Sequence, residues 1–214
     1  IILDHGGTVD KFIGDAVMAF WGAPLDDPEH ALHGVESAIE VLKAMDRLQP
    51  KFESMGAPGL SLRIGLHSGP AIVGNMGSDL RFNYTAVGDT VNLAARLEGA
   101  NKAYGTGTLF TAATVEGLQG RVAVRRVDRV KVKGKHQAVD VFTACDDTEL
   151  IALSDQAWTA WEARDWAGAR AVWQDIVQRY PQDKVARNFI QRMDEMLAEG
   201  EPTTWDASIA LEKL

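Results

Sequence analysis

Asn92 and Arg96 stand four residues apart at the end of the stretch Asn-Tyr-Thr-Ala-Val-Gly-Asp-Thr-Val-Asn-Leu-Ala-Ala-Arg, residues 83–96. On a helix that spacing puts both on one face, where an amide and a guanidinium offer a fork of donors to an anionic group such as phosphate. Alone, the pair describes a solvated surface helix better than a site. Two other stretches change the balance. In Asp-Lys-Phe-Ile-Gly-Asp-Ala-Val-Met-Ala-Phe-Trp-Gly, residues 10–22, Lys11 and Asp15 flank a Gly14-Asp15 turn and bring an ammonium and a carboxylate close together. A turn aspartate is usually there for turn chemistry, and one Gly-Asp pair says little about metal binding. In Val132-Lys133-Gly134-Lys135 two cations sit at a glycine turn. His30 and His33 lie three apart on a helical pattern, but nothing nearby completes a ligand set, so they read as solvated or capping histidines.

The elements that must carry these residues follow from periodicity. Residues 8–13 and 16–21 are short β-prone runs around Gly14-Asp15, a hairpin signal. Asp26-Asp27-Pro28 opens a helix in which Leu32, Val35, Ile39 and Leu42 recur at helical spacing through about Leu48. Residues 50–59 read as a loop, and 60–67 with 70–75 as a second strand pair around Ser68-Gly69. Residues 81–87 form a strand leading into a helix capped by Thr90 and running to about Lys102, before Gly105 and Gly107. Residues 108–111 give a strand, 112–118 a short helix, 122–132 a long strand and 138–144 a final one. Ile1 to Gly7 reads as the last turn of a helix closed by glycine, so the chain is expected to begin in mid-domain. Hairpins alternating with helices imply an α+β sheet with helices on one face.

In order and in residue type, the three stretches resemble the catalytic domain of the class III adenylate/guanylate cyclases, over about residues 1–145, and bacterial homodimeric adenylate cyclases in particular. The phrase Leu-Arg-Ile-Gly-Leu-His-Ser-Gly, residues 62–69, adds to the likeness. The resemblance implies a ferredoxin-like cyclase core with an extra C-terminal hairpin, converting ATP to 3′,5′-cyclic AMP and pyrophosphate. It implies roles as well. Asp15 would be one of two carboxylates holding two divalent ions, Mg²⁺ or Mn²⁺, in each site. Lys11 would donate to the adenine ring N1 and Thr85 would accept from the exocyclic amine. Guanylyl cyclases of the family carry Glu and Cys at these positions, so Lys11 with Thr85 favours ATP over GTP. Asn92 would orient the ribose and Arg96 would meet the charge growing on the α-phosphate. Lys133, or Lys135 in its place, would take the β- and γ-phosphates, with Arg63 near the triphosphate. The metal aspartates and base-reading groups of the family come from opposite subunits, which implies a homodimer with two interfacial sites.

One feature departs from the family pattern. Its first metal aspartate lies on a strand some tens of residues before the Gly-Asp hairpin, and only residues 1–14 precede Asp15. Asp4 sits in the helix end and Asp10 on the hairpin, so neither can stand for it. The core is therefore expected to be N-terminally incomplete, lacking its first strand, and the chain by itself to be catalytically incompetent. A catalytically silent nucleotide-binding or protein-interaction module is the alternative from another class.

Past residue 149 the composition turns helical. Trp158, Trp161, Trp166 and Trp173 accumulate, and Ala157, Ala169, Trp173 and Pro181 sit at offsets resembling one tetratricopeptide repeat over residues 149–198. A single repeat cannot bury its own apolar face, so this α-helical appendage must dock on the sheet, on a second subunit or on an upstream segment. Residues 199–214 form a tail around Trp205, which either pins the helices down or is loose.

The 214 residues are 46% hydrophobic, enough for one good core and a smaller appendage. A formal net charge of −8 argues against nucleic acid and anionic membrane surfaces as partners, while a local cationic patch still suffices for ATP. Cys145 is the only cysteine, which excludes an intramolecular disulfide and a Cys-rich zinc site and suits a reducing cytoplasm. No apolar run reaches the roughly 18 residues that span a bilayer, so any membrane or sensor domain is expected upstream.

Overall fold

The computed structural model describes residues 1–78, 81–131 and 138–211. The opening residues form a hydrogen-bonded turn, His5 N–H on Ile1 O and Gly7 N–H on Ile2 O, in which Gly6 adopts φ +72°. β1 (Thr8–Ile13) and β2 (Ala16–Phe20) then pair antiparallel, and Gly14 at φ +63° supplies the left-handed turn that a two-residue connection needs. The pairing is not regular. Val9 faces Ala19 and Lys11 faces Met18, so Asp10 is an extra residue, a β-bulge.

α1 (His30–Ser54) buries Ala31, Leu32, Val35 and Ala38 as its periodicity requires. It does not stop at Pro50, as the sequence reading had it. Proline removes one intrahelical bond, and here the helix absorbs that loss. It ends instead at Gly56, φ +77°, where Met55, Gly56 and Ala57 N–H groups close onto the carbonyls of residues 51–53.

A second correction concerns β3 (Ile64–Leu66), which pairs with β6 (Thr108–Thr111) in parallel and not with β4. β4 (Ile72–Ser78) pairs antiparallel with β5 (Arg81–Val87). The reason is packing: a Cβ on Gly65 would lie 2.1 Å from the Ala94 carbonyl, so only glycine lets β3 lie this close beneath the following helix. His67 Nδ1 on Thr111 Oγ1, 2.7 Å, and Ser68 N–H on Thr114 Oγ1, 3.0 Å, hold the exit of β3 on the same side.

α2 (Asp89–Tyr104) follows β5 directly, buries Leu93, Leu97, Ala100 and Tyr104, and closes at Gly105, φ +67°. Its N-cap is Gly88; Thr90, the expected cap, donates to Pro70 O at 2.6 Å. α3 (Ala112–Leu118), β7 (Val124–Lys131) and β8 (Ala138–Ala144) complete the sheet together with β9 (Ile209–Ala210), in the order β3-β6-β8-β7-β9. The fold is α+β, with a helical appendage.

That appendage is α4 (Thr148–Glu162), α5 (Trp166–Arg179) and α6 (Lys184–Glu199), capped by the Asp147, Asp165 and Asp183 carboxylates. Of the three docking partners the sequence allowed, the structure gives the sheet: α4 packs on β7 and α6 on α2. One hydrophobic cluster joins Leu97, Tyr104, Leu109 and Val127 to Trp158, Trp161, Trp173 and Phe189. Two buried ionic ties cross the same seam. Arg125 binds Asp183 through both nitrogens and Ser154 at 2.8 Å. Arg192 holds Asp128 at 3.1 and 2.6 Å, and Tyr104 donates to Asp128 at 2.7 Å. No described helix is long and apolar enough to cross a membrane.

Candidate active site

β1 and β5 meet at the Lys11 and Thr85 side chains, where Lys11 Nζ donates to Thr85 Oγ1 at 2.9 Å across 74 residues of sequence. The bulge makes this meeting possible. In a regular strand Asp10 and Lys11 would point to opposite faces, whereas here both reach Thr85. Asp10 Oδ2 accepts the Thr85 hydroxyl at 2.5 Å and the Ala86 N–H at 3.2 Å, and its carboxylate is wholly inaccessible. Burial alone would push the Asp10 carboxyl up. The bonds from Thr85 and Ala86 and the Lys11 ammonium outweigh it and hold the group below the usual carboxylate range. Asp10 is the residue that sequence reasoning missed, because its orientation depends on a bulge that no residue type announces.

Asn92 and Arg96 share the exposed side of α2, opposite Leu93 and Leu97, as their spacing predicts. Among the described residues neither side chain has a hydrogen-bond or ionic partner, so both donor sets face outward and available. Arg63 is engaged: its Nε donates to Glu98 on α2 at 3.0 Å. Lys133 and Lys135 lie outside the described residues. His33 Nδ1 sits 2.8 Å from Asp27 Oδ2, a local contact at the start of α1 that accounts for this histidine without a metal.

Asp15 occupies the β1–β2 turn, exposed and unpaired among the described residues. The residues present do not by themselves fit a two-ion centre. No group of three or more His, Cys, Asp or Glu converges among the described residues, and the nearby Asp10 carboxylate is taken up by Thr85 and Ala86. What these residues do offer is a donor–acceptor pair, a helix face with a free amide and guanidinium, and one open carboxylate.

Comparison with known proteins shows the family. Residues 5–144 match the model of the adenylate and guanylate cyclase catalytic domain. Adenylate cyclase 1 of Rhizobium meliloti (strain 1021) is 39% identical over 142 residues, 66% of this chain and 21% of that protein. The terminal-differentiation-specific adenylate cyclase of Dictyostelium discoideum is 31% identical over 204 residues, 89% of this chain and 9% of that protein. The chain thus spans about a fifth or less of the length of these curated relatives. The crystal structure of the adenylyl cyclase CyaB from P. aeruginosa superposes with a TM-score of 0.62 at 33% identity, covering 68% of this chain and 75% of that one.

Proposed function

The chain belongs to the class III adenylate/guanylate cyclase catalytic domain family, and on that premise we propose that it is the ATP-cyclising part of an adenylate cyclase. In the reaction the ribose 3′-oxygen attacks the α-phosphorus, a P–O bond to the leaving pyrophosphate breaks, and cyclic AMP and pyrophosphate result. The observation that carries the reading is the Lys11–Thr85 contact, which pairs a fixed cationic donor with a threonine oxygen at one spot. A ring nitrogen beside an exocyclic amine, the edge that adenine presents, matches that pair; the oxo group and ring N–H of guanine do not.

The chain's own residues divide the remaining work. Asn92 holds the ribose, and Arg96 one turn further along α2 meets the charge that develops on the α-phosphate, where a preorganised donor lowers the barrier by about 3 kcal/mol. Lys133, with Lys135 as its substitute, takes the outer phosphates. Arg63 reaches them only by leaving Glu98, so its first role is to brace α2 against the entry to β3. Asp15 would contribute one carboxylate toward Mg²⁺ or Mn²⁺, and the second carboxylate of a two-ion site is not among the described residues.

Two hairpins carry large exposed apolar side chains, Phe12 and Ile13 on one and Ile72 and Phe82 on the other. A second copy of the chain covering them supports a homodimer with two sites. Residues 149–198 serve as a brace, since their apolar residues are packed into the core shared with the sheet.

The test is ATP binding and cyclic AMP formation, with Mg²⁺ or Mn²⁺, on the wild-type protein and on Lys11→Ala. Loss of ATP affinity in Lys11→Ala supports the reading. A dimeric wild-type protein that binds no ATP overturns it and favours the interaction module.

A further inference from the structure

A threonine hydroxyl is an ambiguous reader. It has one hydrogen and two lone pairs, and by rotating it can donate to a carbonyl or accept from an amine. Thr85 has lost that freedom. Its hydrogen lies toward Asp10 Oδ2 at 2.5 Å, and an ionised carboxylate can only accept. One of its lone pairs takes Lys11 Nζ at 2.9 Å. Turning the hydrogen away would strip a partner from a carboxylate that has no exposure and whose other oxygen, Oδ1, lacks a hydrogen bond although Lys11 Nζ is 3.2 Å away. The buried polar group would then be left short of partners, which is costly. The Ala86 N–H at 3.2 Å fixes the same Oδ2 from the backbone side, so the carboxylate cannot follow a rotating hydroxyl.

We infer that Asp10 is a positioning residue for base selection: by holding the Thr85 hydrogen it leaves Thr85 only lone pairs to show a bound purine. A six-amino purine then finds an acceptor, while a six-oxygen purine meets lone pair against lone pair. Selection resides in the bulged Asp10 as much as in the two residues that touch the base. This inference rests on the reading of Lys11 and Thr85 as the base-reading pair.

The test measures binding by calorimetry to the full chain, using α,β-methylene triphosphates that cannot be cyclised. The two ligands are the adenosine compound and its 6-methoxypurine analogue, which keeps N1 as an acceptor for Lys11 and changes only the six position. Wild type is expected to prefer the adenosine compound about tenfold, the factor one hydrogen bond supplies. Thr85→Val is expected to lose the preference; if it does not, the base-reading pair itself is wrong, whatever Asp10 does. Asp10→Ala is expected to bring the two ligands within about threefold of each other, and Asp10→Asn, whose amide oxygen can still accept from Thr85 and Ala86, to restore the tenfold gap. A preference kept in Asp10→Ala but lost in Thr85→Val overturns the proposal. Should Asp10→Ala not fold, neutron diffraction from a deuterium-exchanged wild-type crystal decides it. The hydroxyl deuterium lies on the line to Asp10 Oδ2 if the proposal holds, and anywhere else overturns it.

Discussion

Arg96 carries a positive charge on an exposed helix face and is bound to no described residue. In the proposed reaction its charge matters most when the α-phosphate is crowded in the transition state, so in a longer protein that also carries the first metal aspartate, Arg96→Ala is expected to lower cyclic AMP formation about 10²- to 10³-fold while leaving ATP affinity within a few-fold. Equal losses in both would place Arg96 in ground-state binding instead. At this scale Asn92 and Arg96 could be picked out by spacing and Lys11 with Thr85 through the family resemblance, and the structure brings Lys11 to Thr85 and sets Asn92 beside Arg96 on one face. For Arg63 the resemblance implied a place near the triphosphate, and its bond to Glu98 was not foreseen, because that partner is 35 residues away and on another element. Asp10 was beyond reach for a different reason. Residue type cannot say on which side of a strand a side chain emerges once the alternation is broken.

Elements were read most accurately where local signals agreed. The β1–β2 hairpin, α2, β6, α3 and β8 follow from turn glycines and hydrophobic period. Misreadings came where a tertiary contact outweighed a local rule, with Thr90 bonded to Pro70 and β3 drawn to β6 beneath α2, and where α1 runs on through Pro50. The β4–β5 hairpin is the element on which dimerisation is expected to turn, since Phe82 is 63% exposed and Ile72 70%. Phe82→Glu should shift sedimentation velocity from dimer to monomer without moving the melting temperature; an unchanged dimer would locate the interface elsewhere. Helices α6 and α2 are coupled by Arg192, Asp128 and Tyr104, with Asn188 Nδ2 also donating to Ala103 O at 3.0 Å. Removing the guanidinium leaves a fully buried Asp128 charge, so Arg192→Met is expected to cost about 3–5 kcal/mol in urea denaturation. A loss under 1 kcal/mol would mean that water reaches Asp128.

At the scale of the whole molecule the appended helices and the sheet share one core, and the tail fastens them. Trp205 donates to Trp161 O at 3.1 Å and lies edge-on to the Trp161 and Trp166 rings, 4.6 and 4.9 Å away, before β9 pairs with β7. The Lys131 ammonium and the Ser208 hydroxyl hold the Asp206 carboxyl down to about 2, from an ordinary 3.8. A carboxylate depressed in the folded state stabilises fully above its ordinary value and loses that contribution as pH falls through the folded one. The tail is therefore expected to loosen between pH about 4 and about 2, seen as a tryptophan emission change that Trp205→Phe largely removes. Emission that changes equally in the variant would assign the acid transition to another part of the fold. That the tail pins the helices was one of two alternatives the sequence left open, whereas the pairing of β9 with β7 could not be foreseen from a strand of only two residues. It also has a meaning for synthesis. A ribosome makes β7 and the tryptophan helices well before Trp205, so a nascent or truncated chain holds an unpaired sheet edge beside bare indole faces. That surface is what chaperones and proteases recognise, and in a cell it would mark an unfinished copy for delay or destruction.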